Sequence, residues 1–262
     1  MPKGKSTGDQ ARRQGHFGPR GTPGTLPVAL VTAVVAHRGE HHRARENTLE
    51  AFAAALALGV DGIEFDVRPT SDGALVVHHD PRVDGRPLSL TPAGELPDWV
   101  PTLAEVLERT RGVVAHVELK NAREPGEVVY DDTGALVRAV LAEIEGARLE
   151  RRPVVSCFDL PTCARVRAHG ADVAVAWLVE GGPLEGALTE AHVLELDGLN
   201  PHYALVDGPA VARAGELGLA LTVWTANAEA DLVWLEALGV DGVITDEPAR
   251  ALALLGRGGT GR

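Results

Sequence analysis

Apolar residues in this chain fall into short continuous runs, separated by stretches where they recur every three or four positions. Val28–Ala36 is an almost unbroken apolar run and predicts a strand covered on both faces. Asn47, with Glu50 three residues on, predicts a helix start, and Leu49, Phe52, Ala53 and Leu56 give that helix one apolar face. Gly59 predicts its end. Further strands are predicted at Gly62–Val67, Ala74–His78, Val113–Lys120, Val154–Cys157, Val173–Leu178, His192–Leu196, Leu219–Trp224 and Gly242–Thr245. Thr102 and Glu105 form a capping box opening a helix with Leu103, Val106 and Leu107 inward, and another helix is predicted near 133–146.

One joint recurs: a helix ends at a glycine and a strand follows within a few residues, at Gly59, Gly170, Gly218 and Gly239. Leu58-Gly-Val-Asp-Gly62 returns at 238–242. Glycine there permits a left-handed cap, and regular joints of this kind imply parallel strands with crossover helices. About eight strands of this type fit a closed barrel better than an open sheet. The expected fold is α/β, a (β/α)8 TIM-type barrel, somewhat distorted, with a short insertion after the third strand. The distortion enters because nine strands are predicted. Val67 and Val76 are too close for a crossover helix, and Ser71-Asp72-Gly73 reads as a tight turn. Either a hairpin distorts the barrel or one segment lies outside it.

Composition sets the limits. The chain has 262 residues, 45% hydrophobic and 24% charged, which is ordinary for a globular protein. Its net charge of −12 is uneven: residues 1–27 carry Lys3, Lys5, Arg12, Arg13 and Arg20 against Asp9, so the remainder is strongly acidic. An acidic body argues against a nucleic-acid partner and against anionic membrane surfaces. No run is long enough to span a membrane, so no stable membrane insertion is expected. Residues 1–26 are expected to be a disordered basic leader, 27–256 the barrel and 257–262 a flexible tail. Leu26–Ala36 has some character of a signal-peptide core. The long Gly/Pro-rich stretch before it, Pro27, and its direct run into His37-Arg38-Gly39 favour a first core strand. Cys157 and Cys163 match no zinc spacing and imply no disulfide framework, and a cytoplasmic location is expected. Oligomeric state is left open.

The polar residues at strand ends carry the chemistry. Glu64 and Asp66 stand two apart in Gly62–Val67, so both carboxylates share one face while Ile63, Phe65 and Val67 take the other. Like charges held this way call for a cation or solvent between them. Glu118 is a third acid able to converge on them, and oxygen ligands without cysteine point to a hard cation such as Mg²⁺ or Ca²⁺. His37 and His79 suit general acid and base work near neutrality. Arg38 and Lys120 could grip an anion. Each also has a plainer reading. The acid pair could cap loop amides, Glu118 and Lys120 could be a structural ion pair, and Trp224 could be core. His41 and His42 read as solvated loop histidines, His116 as core or supporting, and Asp246 as a loop cap before Pro248.

In order along the chain stand His37-Arg38-Gly39, Glu46-Asn47-Thr48, Glu64-Phe-Asp66-Val, His79-Asp80-Pro81, Pro101-Thr102-Leu103, Glu118-Leu-Lys120, Ser156-Cys-Phe158-Asp159, Trp224-Thr225-Ala-Asn227 and Gly239-Val-Asp-Gly-Val-Ile-Thr-Asp246. This set resembles the glycerophosphodiester phosphodiesterase family of the phospholipase-C-like superfamily, over residues 32–255. The resemblance implies a distorted TIM barrel that uses a divalent cation to hydrolyse a small-molecule glycerophosphodiester to sn-glycerol 3-phosphate and an alcohol. By position it implies Glu64, Asp66 and Glu118 as metal ligands and His37 and His79 as the acid–base pair. Arg38 and Lys120 would contact phosphate, Trp224 would line the substrate pocket, and Glu46 would orient the site or touch substrate. Between Asp80 and Pro101 the chain is shorter than the family's usual insertion, which could open the site to larger head groups. The alternatives are a phospholipase D-type hydrolase of lysophospholipids or sphingolipids, and a non-catalytic phosphate-ester-binding barrel.

Overall fold

The computed structural model describes residues 32–121 and 130–256. The expected leader 1–26, the tail 257–262 and the first residues of the predicted opening strand lie outside them.

The chain opens with β1 (Ala33–His37), α1 (Leu49–Leu58) and β2 (Gly62–Pro69). A hairpin and a small ribbon follow, β3 (Leu75–Val77), β4 (Arg82–Val83) and β5 (Arg86–Pro87). From α2 (Leu103–Thr110) the alternation is regular. It runs β6 (Val114–Leu119), α3 (Ala135–Ala147), β7 (Val154–Cys157), α4 (Leu160–His169), β8 (Ala174–Val179), α5 (Leu184–Val193) and β9 (Gly198–Pro201). It closes with α6 (Gly208–Leu217), β10 (Ala220–Val223), α7 (Glu229–Leu238), β11 (Gly242–Thr245) and α8 (Pro248–Leu254). Parallel pairing runs β1-β11-β10-β9-β8-β7-β6-β2, and β1 also pairs with β2, so these eight strands close into a barrel.

The ninth predicted strand is the hairpin partner. β3 pairs antiparallel with the far end of β2, Val67 opposite Val77 and Pro69 opposite Leu75, on the edge that β1 leaves after Glu64. The turn is the predicted one, with Thr70 N donating to Ala74 O across Gly73. Residues 78–102 then form a small lobe in which Val83, Leu88 and Val100 pack with Val76 of β3.

Two predicted elements are corrected. His192–Leu196 is no strand: it is the end of α5 and the turn after it. The periodicity misleads because Val193 faces solvent at 71% exposure, while the strand itself, Gly198-Leu-Asn-Pro201, carries one large apolar residue. A side chain at Gly198 would meet Ala220 O at 2.7 Å, so packing forbids an apolar signature there. Helix α1 is capped by Thr48, whose side chain accepts from Ala51 N, and not by Asn47, which points into the barrel.

The layers follow from strand period. Ile63, Phe65, Val67, Val117, Val155, Val175, Leu199, Leu221 and Val243 belong to the main apolar core that the helices cover. The alternate positions face the barrel axis, where a small plug of Val154, Ala174 and Ala176 lies. Above it the interior turns polar, with Glu64, Asp66, His116, Glu118 and Ser156 all buried. The repeated Gly-Val-Asp-Gly has a structural duty: Asp61 Oδ2 accepts from Val34 N and Asp241 Oδ2 from Leu221 N, each at 2.8 Å, tying a strand start to its neighbour. Among the described residues no helix is long and apolar enough to cross a membrane.

Candidate active site

A polar interior in an apolar barrel needs compensation for every buried charge. The compensation gathers at the C-terminal ends of the strands. His37, Arg38, Glu64, His79, Glu118, Lys120 and Trp224 line one pocket of about 160 Å³, together with Ser156, Phe158, Leu178, Thr225 and Ile244. Asp66 lies beneath, fully buried, and Glu46 stands at the edge. Nine residues singled out in the sequence thus come to one place.

Strand pairing sets the acids. Asp66 is opposite Glu118 and Glu64 opposite His116 in the β2–β6 register, so three carboxylates end within 4.8 Å of one another. Two cations enter the group. Lys120 Nζ lies 2.9 Å from Asp66 Oδ1 and 2.5 Å from Glu118 Oε1; Arg38 Nε lies 3.3 Å from Asp66 Oδ2 and its Nη1 donates to Glu46 at 3.0 Å. Burial opposes ionisation of Asp66, but Lys120 and Arg38 overcome it and hold that carboxyl far below the usual range. Burial drives Glu64 well up, reinforced by Asp66 and Glu118, and burial also raises Glu118. Glu64 Oε1 is buried with no hydrogen-bond partner among the described residues. Three acids against two cations, with an unpartnered carboxylate oxygen in their midst, fit a hard divalent cation held by Glu64, Asp66 and Glu118.

Loop geometry delivers the remaining groups. Arg38 follows β1 at φ +54°, and its N–H donates to Glu64 O (2.9 Å) and Glu64 Oε2 (3.2 Å). Gly39 adopts φ +89°, and a Cβ there would come within 2.8 Å of the Ala51 backbone, so the chain can pass under α1 only with glycine. Asn47, at φ +56°, donates from its amide to Asp66 Oδ2 at 2.7 Å, and its N–H donates to Arg38 O. Two non-glycine residues in the left-handed region, linked to each other, mark a loop held in place by its contacts with the acids. His79 leaves β3 on a turn tied to β2: His78 N donates to Asp66 O, and Arg68 Nε to His79 O.

Both histidines have Nδ1 engaged. His37 Nδ1 is 2.6 Å from Asp246 Oδ1 and His79 Nδ1 is 2.9 Å from Asp80 Oδ1. That leaves each Nε2 for the pocket, His37 Nε2 lying 3.9 Å from Glu64 Oε2. Burial lowers the pKa of His79, with Asp66 acting in the other direction. Trp224 forms the apolar wall; its indole donates to Asn200 O, and Phe158 and His202 stand edge-on to it.

Two readings of single residues change. Asp246 is no loop cap: it receives His37, His41 Nε2 at 2.9 Å and Asn227 Nδ2 at 2.7 Å. His41 is held by that contact, while His42 is an exposed loop histidine as expected, 3.2 Å from Glu247. Asn47, Asn227 and Asp246 are the site residues that sequence reasoning missed. All three stood inside quoted motifs, but a helix-cap or loop role explained each equally well.

A family model described as the glycerophosphoryl diester phosphodiesterase family matches residues 37–87 and 84–250. A glycerophosphodiester phosphodiesterase of Caldanaerobacter subterraneus subsp. tengcongensis is 30% identical over 251 residues, covering 88% of this chain and 100% of its own. A Thermotoga maritima glycerophosphodiester phosphodiesterase structure is 26% identical with a TM-score of 0.68, over 85% of this chain and 98% of that one. An Oleispira antarctica phosphodiesterase, solved with the product sn-glycerol-3-phosphate, shares the fold at a TM-score of 0.77 and 23% identity, over 86% and 97%.

Proposed function

The chain belongs to the glycerophosphoryl diester phosphodiesterase family, and from that premise we propose that it hydrolyses glycerophosphodiesters to sn-glycerol 3-phosphate and an alcohol by a metal-dependent reaction with His37 and His79 as acid and base. The observation that carries this reading is the shared pocket: two histidines, each with a free Nε2, and two cations around three buried carboxylates. A binding site for a phosphate ester has no use for two proton-transfer groups. Hydrolysis of a diester needs both, one for the attacking hydroxyl and one for the leaving alkoxide.

Arg38 and Lys120 sit where the anionic phosphate would enter, with about one tenth to one fifth of each side chain exposed to the pocket. Their charges are already partnered by Asp66, so they are held rigid before substrate arrives. One histidine takes the proton from the attacking hydroxyl, of water or of the substrate's own glycerol; the other returns a proton to the departing alkoxide. A divalent cation, Mg²⁺ or Ca²⁺, held by Glu64, Asp66 and Glu118 would supply Lewis-acid stabilisation of the phosphate's developing charge. Trp224 and Phe158 give the glycerol carbons an apolar wall.

The test is release of sn-glycerol 3-phosphate from glycerophosphocholine with Mg²⁺ or Ca²⁺ and with chelator. His37→Ala and His79→Ala should each lower kcat by about 10²–10⁴-fold. Full activity in chelator, or in either variant, would overturn the assignment.

A further inference from the structure

Outside the residues assigned to the reaction, a half-buried polar network touches it. It is built on the loops after β10 and β11. Asp246 Oδ1 takes His37 Nδ1 at 2.6 Å and His41 Nε2 at 2.9 Å, while Asp246 Oδ2 takes Asn227 Nδ2 at 2.7 Å. Asn227 is fixed in turn, its Oδ1 accepting from Asp246 N at 2.9 Å and from Thr245 Oγ1 at 3.1 Å. We propose that Asp246, clamped by Asn227, is the positioning residue for His37, holding Nδ1 protonated so that Nε2 faces the reacting atoms. The proposal rests on His37 being catalytic, as argued above.

The geometry favours this over two other uses of the same atoms. A metal held by His37, His41 and Asp246 would keep its ligands at about 2.0–2.1 Å, hence about 3.3 Å from one another in a tetrahedral site. The observed 2.6 and 2.9 Å are hydrogen-bond distances to a single oxygen. A mere loop cap would accept backbone N–H groups, but each Asp246 oxygen accepts from a side chain, one of them in the pocket. A carboxylate on Nδ1 fixes the tautomer: with Nδ1 donating, only Nε2 can accept a proton or carry one to the substrate. Asn227 matters because an Asp246 side chain free to rotate could not hold a ring at one angle. His79 has a counterpart in Asp80, but the Asp80 side chain is 70% exposed and, among the described residues, no further side chain clamps it. The stronger positioning therefore falls on His37.

The experiment is a double-mutant cycle read by kcat and KM. Asp246→Ala should lower kcat by about 10²–10⁴-fold, the range of the acid–base contribution it serves, with KM within about twofold. In a His37→Ala background the same substitution should lower kcat by less than about twofold, because its effect passes through a ring no longer present. Added formate should restore part of the kcat of Asp246→Ala and none of that of His37→Ala. Asp246→Asn keeps the side-chain volume if the alanine variant fails to fold, and it should lose kcat similarly by presenting an amide to Nδ1. Equal losses in both backgrounds, or full kcat in Asp246→Asn beside an impaired His37→Ala, would overturn the positioning role alone. Full kcat in His37→Ala would overturn the catalytic reading on which it stands.

Discussion

Glu64→Gln tests whether the acid cluster is built for a cation. The substitution keeps shape and an acceptor for Arg38 N, and removes one charge. Glu64 Oε1 has no hydrogen-bond partner, and the ligand oxygens of Asp66 and Glu118 lie within 4.8 Å of that of Glu64. At that separation and an effective dielectric near 20, two unit charges repel by roughly 3–4 kcal/mol. Arg38 and Lys120 offset part of this, though both are already engaged by Asp66. A net gain of roughly 1–2 kcal/mol is expected for the metal-free variant at pH 8, about half of one such repulsion. At about 2–4 °C per kcal/mol the unfolding midpoint rises by roughly 2–8 °C. The sign with pH is fixed by the raised pKa of Glu64, whose first cause is burial. A group raised in the folded state contributes its stability below its unfolded pKa and loses it as pH rises through the folded one. The variant's advantage should therefore be absent near pH 4 and open as pH increases. Saturating Mg²⁺ or Ca²⁺ should reverse the order, since ligand at 100 times Kd adds about 2.7 kcal/mol to the wild type and less to a protein short of one ligand. Thermal melts across pH in chelator, then in metal, give all of this. A metal-free variant less stable than wild type at pH 8 would refute the reasoning, because Glu64 would then be making a stabilising contact of its own.

Three further outcomes follow from single residues. Burial lowers His116 from 6.5 to about 4, so the wild type should lose about 3 kcal/mol as pH falls across that window. His116→Leu should remove this loss, read as the difference between denaturant midpoints at pH 7 and pH 4.5; parallel profiles would count against a buried neutral ring. Gly39→Ala meets the Ala51 backbone at 2.8 Å with φ +89°, which should cost about 1–3 kcal/mol and lower kcat/KM by more than tenfold as the neighbouring Arg38 shifts; an unchanged melting curve and rate would contradict it. Trp224→Leu should raise KM several-fold with kcat within about twofold, as expected for a pocket wall that binds ground and transition states alike; a fall in kcat at constant KM would give the indole a different role.

The barrel was legible because each signal had a local cause. Gly59 and Gly239 end their helices at φ +83° and +84°, and Asp61 and Asp241 bind the neighbouring strand's backbone, so a five-residue repeat marks a repeated structural joint. β9 was misplaced because its sequence answers to crowding at Gly198 and not to apolar burial. The hairpin at Ser71–Gly73 was visible, but whether it lay in the barrel depended on how far β2 runs past β1, a tertiary fact. In the site, Glu64, Asp66 and Glu118 could be found because inward acids on strands are costly and rare. Asn47 could not, since its neighbour Thr48 caps the helix and an asparagine beside a helix start usually has that use. Asp246 was hidden for the same reason. Its partner His37 is more than 200 residues away, and only closure of β1 on β11 brings the two together.

That closure also explains why the strained loop after β1 persists. Arg38 and Asn47 both adopt positive φ, which left alone would be unfavourable by about 1–3 kcal/mol each. Both send side chains to Asp66, and Arg38 also binds Glu64 through its N–H. Asp66 in turn is held ionised against its burial by Lys120 and Arg38, with His79 adding to them. Loop geometry and acid charge therefore depend on each other. Ionised, the three acids and two cations sum to −1; a divalent cation makes +1, and a phosphodiester monoanion makes zero. Burial pushes Glu64 and Glu118 toward the protonated form, so a bound divalent cation is what would let both ionise beside Asp66. The same buried charges that hold Arg38 and Asn47 in place are thus the ones that the proposed cation would complete.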